Sequence, residues 1–88
     1  MKKHLVITGK VQGVGFRYWI KNLAINNNIN GWVKNKMSGD VEALIIGEEK
    51  DVQKLIKLFE IGPSSATIQN IQVNDYEHDY SKEGFNIF

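Results

Sequence analysis

Hydrophobic spacing along this chain switches between the period of a strand and the period of a helix, in an order that leaves few topologies open. HLVITGKV (4–11) is short, rich in β-branched residues and broken by glycine, and is predicted as a strand. From Phe16 the apolar residues recur at Phe16, Ile20, Leu23 and Ala24, a helical spacing that predicts a helix over 16–28. That helix ends within NNNING, where Asn28 to Gly31 supply C-terminal caps and left-handed geometry. GWVKNK (31–36) and DVEALIIG (40–47) read as two strands joined through the turn MSGD. Val52, Leu55, Ile56 and Phe59 form an i, i+3, i+4, i+7 stripe, predicting a helix over 49–60. Glu48, Glu49 and Asp51 at its start complement the helix dipole, and Gly62 with Pro63 stops it. ATIQNIQVNDYEHDY (66–80) is a long fourth strand whose alternation slips between Ile68 and Ile71, the mark of a bulge. GFNIF (84–88) closes the chain as a short fifth strand.

The order β-α-β-β-α-β with a terminal strand predicts an α+β fold, the ferredoxin-like split βαβ sandwich, as a single domain over 1–88. It is expected as one antiparallel sheet in the spatial order 4-1-3-2, plus the short C-terminal strand, with two helices on one face. Leu23, Ala24, Leu55, Ile56 and Phe59 are the expected helical core residues. In this plan the first and second strands run in the same direction. Their ends, the glycine loop and Asn35, therefore share one edge of the sheet with the loop Gly62–Ala66, and that edge is where a site is expected.

The loop at that edge, GKVQGVGFR (9–17), carries glycines at 9, 13 and 15 directly before a helix. It is not a Walker loop, because no lysine follows Gly13 or Gly15. It is not a dinucleotide fingerprint either, because GVGFRY puts Tyr18 where the third glycine belongs. The physics beneath those motifs still holds. Glycines leading into a helix N-terminus leave backbone N–H groups free at the positive end of the dipole, where an anion is stabilised. Arg17 in the first turn adds a planar fork suited to two phosphate oxygens. It is the single arginine beside ten lysines, a bias that favours a task for its guanidinium. By spacing alone the loop is either an anion cradle or a simple chain reversal, and Asn35 is either a functional amide or a turn residue.

Other chemistries find little support in the residues. The chain has no cysteine, which excludes a disulfide framework, a thiol nucleophile and a cysteine-ligated metal. His4 and His78 stand too isolated for a metal site. A net charge of +1 advertises neither nucleic acid nor an anionic membrane as partner. The strands HLVITG and VEALIIG also lack the aromatic residues on which an RNA-binding sheet stacks bases. The apolar run after Met1 is too short for a signal peptide, and no stretch is long enough to span a bilayer, so a cytoplasmic monomer is expected. Trp19 and Trp32 are expected at the core or its rim, with one of them open to lining a pocket.

GKVQGVGFR (9–17) and GWVKNKMSGDVEALIIG (31–47), with GP at 62–63 and FNI at 85–87, resemble the signature stretches of the acylphosphatase family. The resemblance runs along the whole chain. Ser38 stands where the family usually has aspartate, Ser64 where it often has a second proline, and Thr67 where it often has arginine. The resemblance implies a metal-independent, cofactor-free hydrolase of small-molecule acyl phosphates. It also implies that Arg17 binds the phosphate and Asn35 orients the attacking water, while backbone N–H groups of Gln12, Gly13, Val14, Gly15 and Phe16 form the cradle. The competing reading from another class is a non-enzymatic phosphate or acyl-phosphate binding module on the same fold.

Overall fold

In the computed structural model, which describes residues 1–88, the chain runs β1 (Lys2–Lys10), α1 (Phe16–Asn26), β2 (Asn30–Asn35), β3 (Val41–Ile46), α2 (Glu49–Ile61), β4 (Thr67–Asp75) and β5 (Phe85–Ile87). The strands form one sheet in the order β4-β1-β3-β2-β5. β1 pairs antiparallel with β3 and with β4, and β2 pairs antiparallel with β3, which is the expected ferredoxin-like plan.

Alternation along the strands decides which face is covered. Leu5 lies opposite Ala43 and Ile7 opposite Val41, and all four are fully buried with Ile45 and Val33. Phe16, Ile20 and Ala24 of α1 and Val52, Leu55 and Phe59 of α2 join the same hydrophobic cluster, so both helices lie on one face. Of the expected core residues, Ala24, Leu55 and Phe59 are fully buried, whereas Leu23 and Ile56 are half-buried at its margin. Trp19 packs at the rim with its ring centroid 5.5 Å from Phe16 and 6.0 Å from Phe59. Trp32 lies on the opposite face of the sheet beside His4 and Phe88.

The bulge falls where the alternation slips. Thr8 pairs with Asn70 and Gly9 with Ile68, so one step along β1 matches two along β4 and Gln69 is the extra residue. Gly9 takes φ 143°, and a side chain there would strike the Thr67 carbonyl, so the close approach of β4 requires glycine.

Several element boundaries, most by a single residue, and one strand direction differ from the sequence expectation. β1 begins at Lys2 rather than His4 and ends at Lys10 rather than Val11, because Lys2 and Lys3 pair with Ile46 and Ile45 and Lys3 also reaches the Asp75 carboxylate. α1 ends at Asn26 rather than at 28: the Asn27 side-chain amide donates to the Leu23 carbonyl at 2.8 Å, and Asn28 turns left-handed at φ 59°. β4 ends at Asp75 rather than Tyr80, where the chain leaves the sheet edge. β5 runs parallel to β2, with Gly31 opposite Phe85 and Val33 opposite Ile87, so the sheet is mixed rather than wholly antiparallel. The cause is topological. β4 ends at the far end of the sheet from the glycine loop, and a strand returning from there runs in the direction of β2.

Candidate active site

Between Lys10 and Phe16 the backbone swings from β1 into α1 through two left-handed residues, Gly13 at φ 74° and Gly15 at φ 77°. Such geometry costs an L residue roughly 1–2 kcal/mol and is open to glycine at little cost. Gly15 is the N-cap of α1 and supplies no side-chain acceptor, and no acidic residue stands in the first turn. The contrast with α2, which has Glu49 and Asp51 there, is direct. No backbone N–H from Gln12 to Gly15 donates to another backbone group, and those of Phe16, Arg17 and Tyr18 begin a helix, where no intrahelical acceptor exists. The positive end of α1 is thus left without a protein partner.

Two side chains pin this loop to its neighbours. Gln12 Nε2 donates to the carbonyl oxygens of Lys36 at 2.8 Å and Asp40 at 2.9 Å, tying the loop to the β2–β3 turn. Ser65 Oγ donates to the Val14 carbonyl at 3.0 Å, tying it to the loop after α2. The turn itself is closed by Lys36 N–H on the Asp40 carbonyl at 2.8 Å. Ser38 also serves it, donating from Oγ to the Asp40 carboxylate at 3.1 Å. The three chain segments expected at one sheet edge meet there.

The glycine loop, the first turn of α1 and the end of β2 form a cavity of about 190 Å³ lined by Val11, Gly13, Gly15, Phe16, Arg17, Tyr18 and Asn35. At ~30 Å³ per water that is room for roughly six waters, enough for a phosphoryl group and an attacking water. Arg17 is the only charged residue of the lining, and no carboxylate or imidazole faces an incoming anion. Its Nη1 donates to the main-chain oxygen of Phe88 at 3.3 Å, and the Phe88 N–H donates to the Val33 carbonyl at 2.9 Å, so the residue after β5 positions one arm of the guanidinium. Asn35 is the last residue of β2, paired with Val41 and exposed at the cavity mouth.

Three larger depressions lie elsewhere, about 370 Å³ beside Lys50, Lys54 and Lys57 on α2, about 380 Å³ beside His4 and Tyr76–His78, and about 290 Å³ beside Glu60 and Ile68–Ile71. The first lies at the start of α2, where Glu49 and Asp51 already compensate the positive end of the dipole, and the other two adjoin no helix N-terminus. His4 Nε2 instead lies 2.6 Å from Glu42 Oε2, and Lys34 approaches the same carboxylate at 3.5 Å. Burial pushes the Glu42 carboxyl up, but the His4 hydrogen bond and charge, with the Lys34 ammonium, outweigh it and hold the group below its ordinary value of 4.5.

Of the residues singled out in the sequence, Gly13, Gly15, Phe16, Arg17 and Asn35 line the one cavity. Gln12 and Val14 belong to its loop but not to its lining: the Gln12 amide is occupied by the turn, and Val14 packs against the core. Neither tryptophan lines it. Tyr18 does, and sequence reasoning passed it over although it sits off the buried stripe Phe16–Ile20–Leu23–Ala24, as an aromatic residue beside the arginine.

Residues 3–87 match the acylphosphatase family model. An acylphosphatase of Pelotomaculum thermopropionicum is 38% identical over 88 residues, covering 98% of this chain and 94% of its own. One from Alcanivorax borkumensis is 39% identical over 77 residues, covering 88% of this chain and 84% of its own. The crystal structure of acylphosphatase from Bacillus subtilis superposes with a TM-score of 0.93 at 31% identity, over 99% of this chain and 97% of that one. The match takes in the glycine loop, the β2–β3 turn and the closing strand together, and the chain belongs to the acylphosphatase family.

Proposed function

We propose that the chain hydrolyses the carboxyl–phosphate bond of small-molecule acyl phosphates by direct attack of water. Arg17 and the N–H groups of the glycine loop bind the phosphoryl group, and Asn35 orients the water. What carries this reading is that Arg17 and Asn35 line the same cavity as a helix N-terminus whose N–H groups have no protein acceptor.

The division of labour follows from charge. A phosphoryl group on the cradle meets the helix dipole and the forked guanidinium, both of which strengthen as negative charge builds on its oxygens. The carbonyl oxygen of Asn35 accepts from the water and aims its lone pair at phosphorus. The new bond forms from water oxygen to phosphorus as the bond from phosphorus to the acyl oxygen breaks. The electron pair leaves on the carboxylate, and a phosphoryl oxygen takes the water proton. A carboxylate is a good leaving group, so positioning and charge stabilisation suffice without a protein nucleophile.

In this reading the positive charge comes from Arg17 and the peptide N–H groups, so the reaction needs no metal. Action as a monomer is carried over as part of the proposal. No helix is long and apolar enough to cross a membrane, and a cytoplasmic location is carried over as part of the proposal. The test is release of inorganic phosphate from benzoyl phosphate and acetyl phosphate in excess EDTA. Turnover undiminished by the chelator supports the reading. Turnover restored only by a divalent ion overturns metal independence, and binding of phosphate without any turnover favours the non-enzymatic module.

A further inference from the structure

We propose that Tyr18 is the specificity-determining residue on the acyl side of the site, selecting acyl phosphates with an aromatic or bulky acyl group over those of acetyl size. The inference rests on the cavity being the acyl phosphate site, and adds which part of the substrate the chain discriminates and with what.

The lining divides by chemistry. Gly13, Gly15, Arg17 and Asn35 offer backbone and polar groups, which suit the phosphoryl end and the water. Three residues remain for an apolar substituent: Val11, Phe16 and Tyr18. Val11 is 2% exposed and Phe16 1% exposed, so their surfaces already belong to the core and have almost nothing left for a ligand to cover. Tyr18 is 68% exposed. The ring packs on no other aromatic side chain of the fold. It is therefore the one apolar surface in the cavity that a bound acyl group can take out of water. Its place immediately after Arg17, in the first turn of α1, keeps it beside whichever phosphoryl group the guanidinium holds.

Selectivity follows from area. A planar aromatic acyl group gains both apolar burial and an offset-stacked or edge-on ring contact against Tyr18. An acetyl group presents a single methyl and gains little. The phosphoryl contacts are the same for both, so the ring acts on their ratio and not on phosphate affinity.

The experiment compares the parent, Tyr18→Phe and Tyr18→Ala on benzoyl phosphate and acetyl phosphate. It also measures binding of phenylphosphonate and methylphosphonate by calorimetry. Tyr18→Ala is expected to lower kcat/KM for benzoyl phosphate about 5- to 10-fold, chiefly through KM, with acetyl phosphate changed less than about twofold. Tyr18→Phe keeps the parent's ratio, and inhibition by inorganic phosphate is equal in all three. A ratio unchanged in Tyr18→Ala, or an equal loss on both substrates, overturns the proposal. Absence of turnover by the parent is instead a failure of the proposed reaction, and the phosphonates then decide. A phenyl preference that the alanine variant loses upholds the aromatic contact, and one it retains, or none in the parent, overturns it.

Discussion

The side-chain amide of Gln12 donates to the carbonyl oxygen of Lys36, the residue immediately after Asn35. The glycine loop and the end of β2, 23 residues apart in sequence between Gln12 and Asn35, are thereby held in one register, reinforced by the second bond from Gln12 to Asp40. An anion on the loop and a water on Asn35 can then be fixed relative to each other without touching the same side chain.

Gln12→Ala removes both bonds, while the Asp40 and Lys36 carbonyls each keep one backbone donor, Lys36 N–H at 2.8 Å and Gly39 N–H at 3.2 Å. Each such bond contributes about 0.5–1.5 kcal/mol net, so the pair accounts for about 1–2 kcal/mol at this partly exposed site, a fall in Tm of roughly 5–15 °C. Gln12→Glu is the sharper change, since a carboxylate facing two carbonyl oxygens repels them. Thermal melts at neutral pH should rank the parent above alanine and alanine above glutamate. Equal melting of all three would show that the stitch contributes nothing.

What the sequence made legible, and what it hid, follows from the range of each interaction. The helices and strands came from periodicity, and even the slip between Ile68 and Ile71 marked the bulge at Gln69, because local spacing carries that information. The direction of β5 did not, because three residues have no periodicity to read and their pairing with β2 is set by where β4 leaves the sheet. Arg17 and Asn35 were legible as a pair through the family resemblance and the shared sheet edge. The task of the Gln12 side chain was not, since its acceptors are backbone carbonyls that any residues at 36 and 40 supply. Tyr18 was visible as an aromatic residue off the buried stripe, but its exposure against the burial of Val11 and Phe16 is a tertiary fact.

Arg17→Lys keeps the charge and loses the planar fork. One arm of the guanidinium is held by Phe88, and a lysine ammonium cannot keep that contact while giving two parallel bonds to a phosphoryl group. The expected loss in kcat/KM is about 30- to 1000-fold, with weaker inhibition by phosphate. Arg17 makes no ion pair with a side chain and only one long hydrogen bond, so Tm should stay within about 2–4 °C of the parent. Near-parental turnover by the lysine variant would show that charge alone suffices.

Glu42 makes stability depend on acid. Its carboxyl is held below 4.5 by His4 and Lys34 against the opposing effect of burial, so the folded state prefers the ionised form. The unfolded chain then binds the proton more readily, and the contribution is present above the ordinary value and lost as pH falls through the lowered one. Melts of the parent and Glu42→Gln should differ most above pH 4.5 and converge as the pH is taken below it. A difference that stays constant across that range would contradict the assignment.

Asn35→Ala tests the division of labour most directly. The residue ends β2 at the cavity mouth and is exposed, so its truncation should change stability by less than about 0.5 kcal/mol. Loop and guanidinium remain, so competitive inhibition by inorganic phosphate should stay within about threefold of the parent, while kcat for benzoyl phosphate falls by at least about 100-fold. Parental kcat in the alanine variant, or a defect confined to KM, would contradict the claim that Asn35 orients the water while Arg17 and the glycine loop hold the phosphate.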